Sequence, residues 1–154
     1  VESVKDETGN AAEHSVGAAR IYLWDAAFKA WLQKPLLGHG TGDVDEALLN
    51  QYEEQHNQRA IDHHYNHHNQ FLQTGVSTGA LGLVSLLITI LFPMIYGFRK
   101  RHLLYFSLGL FLLVNLLVES MFERQAGVMF FAFFNSFIYF VVLPGERNSN
   151  APMN

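Results

Sequence analysis

Residues 76–98 run for 23 positions without a charged side chain, and such a stretch leaves few folds open. As a helix rising about 1.5 Å per residue it would be roughly 34 Å long. The hydrocarbon core of a bilayer is about 30 Å thick, so the run can cross it with some tilt. Pro93 is a candidate kink within it, of a kind membrane helices accept when neighbours satisfy the freed carbonyl. Arg99-Lys100-Arg101-His102 then ends the run abruptly. Two more apolar runs follow at 103–118 and 126–143, the second rich in Phe and closed by Pro144-Gly145. The first of these is short, and Arg101 and His102 would have to reach back to the interface from its start. Buried helices of a soluble core can be as apolar, but three in succession with charges only at the joints point to membrane spans. The expected fold class is therefore all-α: a polytopic transmembrane helical protein with spans near 76–98, 103–118 and 126–143.

Charge divides the chain at the same place. Residues 1–70 carry eleven of the fourteen acidic residues and five of the ten Lys and Arg, about −6 in all, whereas 71–154 come to about +2. This is the pattern of an acidic aqueous segment joined to a membrane domain. Short loops rich in Lys and Arg stay on the cytoplasmic side, so Arg99–His102 and the tail from Arg147 are expected inside. The odd number of spans then puts residues 1–70 and the polar turn at 119–125 together on the outer side. The chain starts at Val1 and shows no signal-peptide pattern. An outer segment at its start would therefore need helices upstream, and a fragment of a larger protein is expected. The absence of cysteine excludes disulfides and thiolate metal sites without fixing the compartment.

Within the outer segment, residues 1–15 read as loop. From Gly17 a helix is expected, with Ile21, Trp24, Phe28 and Trp31 at three- and four-residue steps forming an apolar stripe that lies on the membrane surface or packs on the bundle. Arg20 falls on the same side as Trp24, and Lys34-Pro35 ends the helix. Gly38-His39-Gly40-Thr41-Gly42 follows, either a tight turn or a loop that lets backbone approach a ligand. No Lys-Ser/Thr completes a nucleotide-binding loop. Asp43 and Glu46 have capping-box spacing for a helix from about Val44 to Gln58.

His63, His64, His67 and His68 come next. On a helix, His63/His67 and His64/His68 would be i,i+4 pairs of the kind that hold zinc, although no zincin pattern accompanies them. The competing reading is a single catalytic histidine, since an imidazole titrating near neutrality suits proton removal from a hydroxyl. His68 is placed for this role just ahead of the first span, where an enzyme acting on a lipid-linked substrate needs its base. The other three are then surface or incidental residues.

His68-Asn69, nine residues, and Gly79-Ala80-Leu81-Gly82 resemble the signature of the O-antigen ligase and polymerase family of membrane glycosyltransferases. Arg20-x-x-x-Trp24 with Pro35-Leu-Leu-Gly38-x-Gly40 resembles that family's helix in the large periplasmic loop. Glu119-Ser120 and Gln125-Ala-Gly127 resemble its last outer turn. The resemblance covers roughly residues 16–143, the C-terminal portion of such a protein. It implies an inverting transfer, in the bacterial inner membrane, of a glycan from undecaprenyl diphosphate to an acceptor hydroxyl such as lipid A core. No metal, cofactor or nucleic acid is implied; the partners are the lipid-linked glycan, the acceptor and membrane lipids. His68 would be the general base and Arg20 the counter-charge to the diphosphate. His39, Gly40, Asn69, Glu119 and Arg124 would line the substrate site. Asn69 has capping of the next helix as its simpler role, and Glu119, Glu123 and Arg124 an interfacial ion pair. A polymerase, a protein O-glycosyltransferase, or a non-enzymatic metal or pH sensor built on the histidines are the alternatives.

Overall fold

The computed structural model describes residues 16–63, 65 and 67–144. The expected loop at 1–15, His64 and the tail from Arg147 lie outside the described residues, as does the side chain of His63. The elements are helices α1 (Val16–Gln33), α2 (Val44–Glu54), α3 (Gln58–His63), α4 (Gln70–Lys100), α5 (Leu103–Val118) and α6 (Gln125–Phe137), with a 3₁₀ turn at Met121–Glu123 and a π turn at Ile138–Val142. The fold is all-α, as the sequence predicts. Two compact units divide at Leu83 and Val84, so α4 contributes to both.

In the first unit, α1 packs through small residues. Leu23, Ala26, Ala27 and Ala30 recur at helical spacing and are buried against Val44, Ala47, Leu48 and Tyr52 of α2 and against Ala60 and Val76. Three alanines on one face let two helix backbones approach closely, and Tyr52 locks the far end by donating its hydroxyl to the Tyr65 carbonyl at 3.0 Å. The aromatic stripe, expected to lie on the membrane surface or to pack on the bundle, is on the other side. Ile21 and Phe28 are exposed, and Trp24 is only partly covered. The large residues thus stand open while a separate row of small residues makes the contact with α2.

Helix α2 stops four residues short of the predicted Gln58. His56 adopts φ 53°, and the bonds His56 N→Glu53 O (3.0 Å) and Asn57 N→Tyr52 O (2.9 Å) close the helix end in a Schellman arrangement. Asp43 occupies the N-cap position but makes no side-chain cap bond, so the expected capping box is not formed. His63 and His67 do not share a helix either. Helix α3 ends at His63, and His67 to Asn69 are not helical.

In the second unit, α4 turns into α5 through Arg101 at φ 54°, where Arg101 N→Phe98 O and His102 N→Gly97 O terminate α4 in the same way. His102 then caps α5 by accepting the Tyr105 N–H on Nδ1 at 3.2 Å. A Cβ at Gly97 would overlap Phe106 backbone, and one at Gly109 would overlap Met94. Small residues of this kind let membrane helices meet at close range. Tyr96, Tyr105, Tyr139 and Phe92 cluster edge to face, and Tyr105 donates to Asn135 Oδ1 at 2.8 Å.

Helices Gln70–Lys100 and the run Gln125–Val142 are long and apolar enough to cross a membrane, while Leu103–Val118 is a shorter apolar helix. Only 22% of the apolar stretch in the first and 6% of that in the second is buried. A soluble core helix would be mostly covered, so this much open Leu, Ile and Phe surface fits lipid. The helix positions reproduce the three predicted runs to within a few residues, except that α4 begins six residues earlier, at Gln70. Its interruption is at Gly79 (φ 66°, ψ −154°), not at Pro93, which lies within regular helix.

Candidate functional site

The break at Gly79 is the frame on which the site is built. In an unbroken helix the Ala80 N–H would bond to the Val76 carbonyl. Here Ala80 N donates to Pro35 O at 2.8 Å, His39 N takes the Val76 carbonyl at 2.7 Å, and Gly40 N takes that of Ser77 at 2.9 Å. The loop after α1 thus fills the hydrogen-bonding vacancy that the break opens. Only glycine fits at the crossing. A Cβ on Gly38 would lie 2.5 Å from the Ser77 carbonyl carbon, and one on Gly79 2.5 Å from that of Leu36. Both residues also have positive φ, 71° and 66°. Trp31 seals the crossing: its indole donates to Pro35 O at 3.1 Å, and its ring lies 3.1 Å from where a Gly75 side chain would begin.

Toward the N-terminal end of α4 from this crossing stands the histidine segment. Asn69 caps α4, its Oδ1 accepting from Phe71 N at 2.9 Å and Leu72 N at 3.1 Å. On its other side, the Trp24 indole donates to the His67 carbonyl at 2.8 Å. His68 lies between these two anchors in the left-handed region, φ 49°, and is half-buried. A non-glycine residue held there is strained by about 1–3 kcal/mol, and such strain gathers where a side chain must be aimed. Arg20 is exposed one helical turn before Trp24 on α1, so the helix that pins the His68 backbone also carries the guanidinium. A buried polar row extends from there along α4 through Gln70, Gln73 and Ser77.

His67 corrects the expectation that it is a surface residue. It is 0% exposed, and neither ring nitrogen has a hydrogen-bond partner. Burial lowers it from 6.5 to about 4; the Gln73 side chain opposes this from nearby without bonding geometry, and His68 adds to the lowering. An imidazole so held stays neutral at physiological pH, and with no open face it does not reach a substrate. Its adjacency to His68 concealed its burial in the sequence. Trp24, read there as one of a stripe, is likewise a hydrogen-bond donor to the site.

His39 points inward, its Nε2 donating to the Ala30 carbonyl at 2.8 Å, and Gly40 (φ 102°) serves the crossing. Both are tied to structure about two helical turns down α4 from His68. Glu119 closes α5 through Glu119 N→Asn115 O at 2.9 Å, and Arg124 is exposed at the start of α6. These two belong to the second unit. Among the described residues no group of three or more His, Asp, Glu or Cys could hold a metal ion.

Open apolar helices, with a polar, strained histidine segment leading into the first of them, define a helical membrane protein with its candidate site ahead of that span. The chain belongs to the O-antigen ligase family, whose pattern residues 1–87 match. An uncharacterized protein of Haemophilus influenzae is 29% identical over 84 residues, which is 54% of this chain and 21% of that protein. The chain thus spans about a fifth of the length of that relative. No solved structure matches it.

Proposed function

We propose that this chain carries the acceptor-activating part of a glycosyltransferase that moves a glycan from undecaprenyl diphosphate to an acceptor hydroxyl, lipid A core in a ligase. The observation that carries the reading is the placement of His68. Its backbone is fixed on one side by Trp24 and on the other by the Asn69 cap, and it lies two residues ahead of the membrane helix. His68 takes the proton of the acceptor hydroxyl as the oxygen attacks the anomeric carbon. The C–O bond to the diphosphate breaks on the opposite face, and the configuration inverts. Negative charge gathers on the departing diphosphate, where the Arg20 guanidinium, with its fork of donors, offsets it. Residues 1–70 are then periplasmic and the membrane is the bacterial inner membrane. The reaction so written uses no metal. Glu119 and Arg124, at the outer end of the later spans, are proposed as further substrate contacts.

The test is glycan transfer by the intact protein carrying His68→Ala or Arg20→Ala, with membrane insertion monitored in parallel. Transfer should be abolished in both while insertion persists. Near-normal transfer in both would overturn the enzymatic reading and favour a sensor. Product on lipid A core identifies a ligase, lengthened lipid-linked glycan a polymerase, and glycosylated protein a protein glycosyltransferase.

A further inference from the structure

The crossing of the 35–40 loop over α4 fixes more than backbone geometry. It sets the depth of two leucines. Leu36 and Leu37 are 69% and 72% exposed, an unusual cost for two adjacent large apolar side chains in an aqueous loop. They are held against Val76, Ser77, Gly79 and Ala80 by His39 N→Val76 O, Gly40 N→Ser77 O and Ala80 N→Pro35 O. Val76 opens the charge-free run of α4. The loop therefore stands at the level where that run enters hydrocarbon, and Leu81, at the same level, is 66% exposed as well.

We infer that Pro35-Leu36-Leu37 is a membrane-dipping anchor, with both leucines in the acyl chains at the outer boundary of the bilayer. Irregular backbone is excluded from lipid unless its polar groups are satisfied by protein. Here the groups that flank the two leucines are bonded: the Pro35 carbonyl accepts from Ala80 N and the Trp31 indole, and the N–H groups of Gly38, His39 and Gly40 go to Lys34, Val76 and Ser77. The apolar face of α1 leads down to the loop through Phe28 and Leu32, both exposed, and Lys34 lies just before the anchor, where its ammonium can reach headgroup phosphates. The anchor would fix the height of the site. His68 precedes Val76, where the charge-free run begins, by eight residues, at most about 12 Å along a helix rising about 1.5 Å per residue. The headgroup layer is about 5–8 Å deep on each side, so His68 would stand just beyond it, level with a sugar attached to a membrane-borne diphosphate. The inference rests on α4 being a span and is independent of the chemistry proposed for His68.

Single spin labels at Leu36→Cys, Leu37→Cys, Thr41→Cys and Leu87→Cys in the intact protein in liposomes test it, through collision with oxygen and with a water-soluble nickel chelate. Oxygen should dominate severalfold at 36 and 37, as at 87, and the nickel chelate at 41. Labels at 36 and 37 that behave like 41 would overturn the anchor, and labels shielded from both reagents would show that protein covers the loop. Nickel access at 87 would instead overturn the span, a separate failure. Because all four positions are placed on side chains outside the buried core, a retained oxygen signal at 87 also reports that the labelled protein is folded and inserted.

Discussion

Gly38 and Gly79 meet backbone to backbone: a Cβ on Gly79 would lie 2.7 Å from Gly38 N, and one on Gly38 would lie 2.6 Å from Thr78 N, next to Gly79. Forty-one residues separate them in sequence, and their contact joins the loop after α1 to the broken turn of α4.

Alanine substitution at the four glycines of this region should therefore be graded. Gly38→Ala and Gly79→Ala combine positive φ with a backbone clash and should each cost more than about 2 kcal/mol. Gly40→Ala has φ 102° but its nearest neighbour, Asp43 Oδ2, is 3.8 Å away, so only the conformational term of about 1 kcal/mol applies. Gly42→Ala meets nothing within 4 Å and should be neutral. Thermal melting of the purified protein checks the order.

Much of this was legible in the sequence, and the part that was not has physical causes. Charge-free length located the spans, because the bilayer dictates it. His68-Asn69 and its spacing to Gly79 drew attention to the candidate site, and the Asn69 side chain does cap α4. The buried face of α1 was missed because alanines carry little hydrophobic signal beside Trp and Phe. His67 and His68 look alike in sequence, but the αL turn at His68 sends two adjacent side chains into different environments. The reason for Gly79 was hidden too, since its partner loop is distant in the chain.

Asn69→Ala should remove two accepted bonds at the start of α4 and cost about 1 kcal/mol, while Asn69→Asp or Asn69→Ser keeps most of that stability. Melting temperatures of the three variants decide this; an unchanged Asn69→Ala would mean the cap contributes nothing.

Trp24→Phe keeps the ring but leaves the His67 carbonyl without its 2.8 Å donor. Stability should fall by about 1 kcal/mol. Glycan transfer should fall further, on the order of tenfold or more, because the backbone that aims His68 is loosened. A stability loss with undiminished transfer would separate Trp24 from the site.

Acid should destabilise the fold through His67. The unfolded chain binds a proton near 6.5 and the folded one only near about 4. Between those values the unfolded state holds more protons, so stability is full above pH 6.5 and declines as pH falls toward 4. The loss is roughly 3 kcal/mol in total. Melting from pH 7 to 4 should show this decline in the native protein and a shallower one in His67→Gln.

The most direct test compares His67→Gln with His68→Gln in the same glycan-transfer assay, each normalised to folded protein. The account predicts that His68→Gln loses at least about a hundredfold in rate with melting nearly unchanged. It predicts that His67→Gln keeps transfer within about tenfold while its melting behaviour shifts. Near-normal transfer by His68→Gln, or the reverse assignment of the two effects, would contradict it.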